Sequence, residues 1–68
     1  MSPEELKALQ KEVSTRKRIA TDCASKVHDL VEDRLWSAYA ELPELARQTV
    51  EACEAWQAAK VNLEQAGG

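Results

Sequence analysis

LKALQKEVSTRKRIATDCASKVHDL, residues 6–30, carries the architecture of this chain. Alternating steps of three and four through it land on Leu6, Leu9, Val13, Arg16, Ala20, Cys23, Val27 and Leu30. That is a heptad seam with one charged intruder, and a stripe of this length belongs to one continuous helix lying against other helices. Ala24 and Val31 widen the apolar face, and Ile19 adds an apolar position on the other flank. Three apolar positions per heptad suit a bundle better than a two-stranded coil.

Outward from this seam, the start of the helix is explicit. Ser2 is placed to cap, Pro3 suits the first helical position, and Glu5 completes a Ser-x-x-Glu capping box. Met1 and Leu6 stand where a hydrophobic staple would close. No Gly or Pro interrupts residues 4–33, so the first helix is predicted over about 3–33, a rod of roughly 47 Å.

The period fails between Arg34 and Leu42. Leu35, Trp36, Tyr39 and Leu42 are too apolar for a solvated loop, which predicts a packed turn over 34–42 that plugs the bundle end, with room for one helical turn. Pro43 then restarts helix, with Leu42 held extended before it. Leu45, Ala46, Thr49, Val50, Cys53, Trp56, Ala59, Leu63 and Ala66 repeat on one side of a second helix over about 43–65, which Gly67 and Gly68 end.

Two long helices and a short connection leave the antiparallel hairpin as the local topology, one domain over residues 1–68. With the turn centred near Ala38, Cys23 comes level with Cys53, and Ala20 with Trp56. A 68-residue chain with no Phe, two Trp and one Tyr has a thin core of its own. Association is the remedy this composition favours, since two cysteines offer no metal-finger spacing. The fold class is therefore all-α: a two-helix hairpin dimerising into a four-helix bundle, with closed two-fold symmetry making it a homodimer.

Charge narrows the function classes. Residues 1–34 balance, and the net −3 arises in residues 35–68, where Arg47 and Lys60 face five glutamates. An acidic balance is a poor basis for holding nucleic acid through phosphates. Arg16, Lys17 and Arg18 spread around the helix instead of forming one basic face, with Arg16 lying along the seam and reaching toward acid groups. No apolar run approaches the roughly 18 residues that cross a bilayer, and the N-terminus lacks the order of a secretory signal. A soluble cytoplasmic protein is the expectation.

His28 is the single histidine, with Glu32 four residues on and Asp29 beside it. That spacing puts His28 and Glu32 on one helical face, the half-site from which bundle metal centres are built. Glu51 and Glu54 on the second helix, of the same copy or the other one, are candidates to complete it. The plainer reading is a rim histidine paired with Glu32 in water. Cys23 and Cys53 read as small core fillers in a reducing compartment, and as thiolate ligands in the sharper version. No serine or cysteine nucleophile has a histidine at catalytic spacing, and no glycine loop cradles a phosphate, so an enzyme is not expected.

The segments KVHDLVEDRL (26–35) and YAELPELARQTVEACEAWQAAKVNL (39–63), with the opening SPEELKALQKEV (2–13), resemble a known group. They are similar to small Rop-like proteins of unassigned function encoded in nitrogen-fixation gene clusters and described as metalloproteins. His28-Asp29-Leu30 and Leu42-Pro43-Glu44-Leu45-Ala46 are the more specific parts. Trp36 stands where that group is expected to have a proline-containing turn. The resemblance implies a hairpin that dimerises as a four-helix bundle and an accessory role around nitrogenase or a nitrogenase cofactor-assembly protein. It also implies a divalent metal ion, such as iron, nickel or zinc, near His28 and its acidic neighbours.

The competing expectation is a docking module without metal chemistry, in which Trp36 and Tyr39 at the bundle end are the anchors. Binding of paired RNA loops, which the word Rop suggests, is disfavoured by the acidic balance and the lack of a basic, aromatic face.

Overall fold

The structure, a computed structural model, describes residues 2–67. Helix α1 spans Pro3–Asp33 and helix α3 spans Leu42–Gln65, with a four-residue helix α2, Leu35–Ala38, and a 3-10 turn, Tyr39–Glu41, between them. The described residues contain no strand. The two long helices lie side by side as a hairpin about 51 Å long, 15 Å wide and 10 Å thick, measured through the Cα atoms.

The capping box forms in part as its residues demand. The Glu5 N–H donates to Ser2 Oγ at 3.2 Å, Pro3 occupies the first turn, and Glu4 and Glu5 place negative charge at the positive end of the helix. The staple partner Met1 lies outside the described residues. At the other end of the hairpin chain, Gly67 takes φ +86°, a left-handed conformation that glycine adopts without steric cost, and closes α3. Gly68 lies outside the described residues.

The reversal begins at Arg34, which leaves helical geometry while its N–H still donates to the Leu30 carbonyl at 2.9 Å. The Ala38 N–H returns to the Arg34 carbonyl at 2.8 Å, closing a single tight helical turn. Leu35, Ala38 and Leu42 follow three-then-four spacing and point inward, Ala38 being buried and the two leucines half-buried. Trp36 and Tyr39, one step round, therefore point out. Within one hairpin neither ring packs against the interior: Trp36 is 88% exposed and Tyr39 63%.

Leu42 also differs from its expected extended form. It has φ −54° and ψ −46°, because the 3-10 turn runs directly into α3 and puts Leu42 and Pro43 together in its first turn. At that position the proline removes an N–H that had no helical partner, so the turn continues at little cost.

Inside the hairpin the burial is thin. Only Leu30, Ala38 and Ala59 are buried among the described residues, and Leu30 alone is a large side chain fully withdrawn from water. Leu6, Leu9, Val13, Ala20, Cys23 and Val27 line the α1 seam half-buried. On α3 the inward row is Leu45, Thr49, Ala52, Trp56, Ala59, Leu63 and Ala66. Ala52 takes the inward place expected of Cys53, which is exposed, whereas Cys23 is half-buried; both thiols are free.

Candidate functional site

His28 and its neighbours sit near the bend end of α1. His28 Nε2 lies 3.0 Å from Glu32 Oε2, and His28 Nδ1 lies 3.6 Å from Asp29 Oδ1. The first contact follows from the four-residue spacing, which stacks the two side chains one turn apart. All three groups stand mostly in water. The imidazole is thus flanked by two carboxylates of its own helix, an arrangement that presents one nitrogen and carboxylate oxygens to a cation arriving from solvent.

Glu51 and Glu54 are not brought to this pair. The Arg47 guanidinium donates to Glu51 Oε1 at 2.6 Å and, through Nε, to Glu44 Oε2 at 2.8 Å. Arg47 thus holds Glu44 and Glu51 in one exposed ion-paired row. Its hydrogen bonds, with help from Gln48, draw the Glu44 carboxyl down to about 2, and the carboxylates push the Arg47 pKa up. Glu54 is exposed on the same helix. Among the described residues no three His, Cys, Asp or Glu side chains converge as a ligand set within one chain.

The reason is rotational. One broad side of the hairpin is a groove lined by Lys17, Ala20, Thr21, Ala24, Cys53 and Trp56, and His28 follows Ala24 by four residues. The opposite side is lined by Glu12, Arg16, Ala55, Ala58, Ala59 and Asn62, and Glu51 precedes Ala55 by four. His28 and Glu51 thus belong to opposite faces of the same slab. The first groove also brings Ala20 and Ala24 to Trp56, as the level pairing of the two helices requires. Lys60 Nζ lies 5.3 Å from the Trp56 ring, covering one side of the indole with a cation. On the second face Arg16 Nε donates to Glu12 Oε1 at 2.6 Å, so the charged intruder of the seam is drawn outward to an acid group.

At the bend, Trp36 and Tyr39 form the second candidate site. The turn that carries them is fixed by the inward set Leu35, Ala38 and Leu42 and by hydrogen bonds from Ser37 and Ala38 to the Arg34 carbonyl. Neither aromatic ring is needed for that turn.

A family profile described as Rop-like matches residues 4–67. The chain belongs to the Rop-like family. Rop-like hairpins are known to dimerise as helical bundles, and the fold is of a non-catalytic type. No curated protein and no solved structure matches the chain. In this Rop-like hairpin no helix of the described residues is long and apolar enough to cross a membrane. What sequence periodicity missed is the choice between Ala52 and Cys53 for the inward row. Both are small and apolar, and the signal that separates them is the unbroken three-four series Leu45, Thr49, Ala52, Trp56, Ala59, Leu63.

Proposed function

We propose that this Rop-like protein is a non-catalytic docking module, a paired hairpin that holds a larger protein through the aromatic bend. The observation that carries this reading is the outward stance of Trp36, 88% exposed, on a turn whose own packing is supplied by Leu35, Ala38 and Leu42. A large ring left in water costs apolar hydration, and such rings are frequent anchors at the centres of interfaces. The resemblance to nitrogen-fixation proteins suggests the partner, nitrogenase or a protein that assembles its cofactor. The test is co-purification from nitrogen-fixing cells. Wild-type bait retains nitrogenase or a cofactor-assembly protein, and Trp36→Ala bait loses it; equal recovery by both baits overturns the reading.

A second reading keeps metal handling, and the 3.0 Å approach of His28 to Glu32 favours it. One chain supplies half a site, so a divalent ion would be completed by acidic or imidazole groups of a second copy. In that case the bound ion belongs to the pair of hairpins and not to either one.

A further inference from the structure

We propose that the broad face bearing Ala24, Cys53 and Trp56 is the one that takes a second copy of the chain, while the face bearing Glu12, Arg16 and Glu51 stays in water. This rests on the pairing of hairpins and is independent of docking at the bend.

The two faces differ in what covering them would cost. The first is a groove of alanines, a thiol and an indole, with Lys17 and Thr21 at its edge. Helical spacing extends it from Ala24 to Val31 and from Cys53 to Val50, which are 47% and 55% exposed. The second face carries the Arg16–Glu12 pair, and one turn from Ala55 the Arg47 row with Glu44 and Glu51. Burying those ion pairs would strip their water for little return.

The occupant follows from size and shape. The slab is 51 Å by 15 Å through its Cα atoms, so one face offers on the order of 800 Å², the share each partner contributes to a standard stable interface. A second hairpin matches that footprint along its whole length. The face is apolar on both helices, with Ala20 and Ala24 of α1 beside Cys53 and Trp56 of α3, so a two-fold contact buries the same patch of each copy.

Ala24 and Ala58 are matched probes, since both are exposed alanines inside long helices on opposite faces. In sedimentation equilibrium the wild type and Ala58→Glu are expected at twice 7.6 kDa, and Ala24→Glu at 7.6 kDa. A carboxylate trapped without a partner weakens such an interface by at least about 100-fold. Pairing by Ala24→Glu as tight as wild type, or dissociation by Ala58→Glu alone, overturns the face assignment while leaving pairing intact. A wild type that stays single at every loading overturns the pairing itself. Independently of any variant, Cys53 of the wild type is expected to lose reactivity toward iodoacetamide as concentration rises and pairs form. A Cys53 rate that is the same in dilute and concentrated protein also contradicts the assignment.

Discussion

His28 Nε2 stands 3.0 Å from Glu32 Oε2, one helical turn away, on a face that Glu51 does not share. The consequence is that a single hairpin offers a cation two adjacent groups and no enclosing set. Metal-free protein titrated with zinc, nickel or iron(II) is therefore expected to retain at most one ion for every two chains, and His28→Ala to abolish that retention. Uptake of one ion per chain, or uptake unchanged in His28→Ala, contradicts this.

Trp36 is predicted to be replaceable without loss of stability. Its ring makes no use of the hairpin interior, so Trp36→Ala should shift unfolding by no more than about 0.5 kcal/mol, the ordinary range for surface positions. Chemical denaturation of the two proteins measures this directly. A destabilisation of about 3 kcal/mol, the size expected for a buried aromatic, would mean that the ring is covered in the assembled protein.

Leu30 is the opposite case. Among the described residues it is the one large side chain fully buried, and its carbonyl also accepts the Arg34 N–H that ends the helix. Leu30→Ala is expected to cost about 2–5 kcal/mol, because truncating a fully buried leucine leaves a cavity. In a chain with so little other burial this is enough to unfold most of the population at room temperature. A cooperative melt within a few degrees of wild type would show that Leu30 is not central.

These two expectations separate what the sequence disclosed from what it did not. The Leu6–Leu30 seam and the Ser2-Pro3-x-Glu5 start were readable because helix periodicity and capping are local. The bend was not, since Leu35, Trp36, Tyr39 and Leu42 are all large and apolar. Only the sense in which the chain turns at Arg34 sorts them into an inward pair of leucines and an outward pair of aromatics. The same holds for Ala52 and Cys53, where one helical step of 100° separates the interior from solvent and either residue fits both places. His28 with Glu32 was legible for the opposite reason, being a contact within one turn. Glu51 and Glu54 required knowledge of which face of α3 looks where.

The Glu44–Arg47 pair gives the pH dependence its sign. The folded-state pKa of Glu44 is drawn from 4.5 down to about 2 by the Arg47 hydrogen bonds, so the pair supports α3 above pH 4.5 and that support is lost as pH falls toward 2. Both groups are exposed, so added salt is expected to weaken the effect. NMR titration of the Glu44 carboxyl should show a midpoint well below the ordinary carboxylate range, moving up in Arg47→Ala. An unchanged midpoint in that variant would contradict the assignment.

One copy buries little: among the described residues only Leu30, Ala38 and Ala59 are buried. Folding that depends on a second copy makes the melting temperature rise with protein concentration, by mass action. Thermal melts followed by circular dichroism over a 100-fold range of concentration test this most directly. The prediction is a cooperative transition that climbs by several degrees from the most dilute to the most concentrated sample. A cooperative melt at one fixed temperature, from a particle of 7.6 kDa, would contradict it.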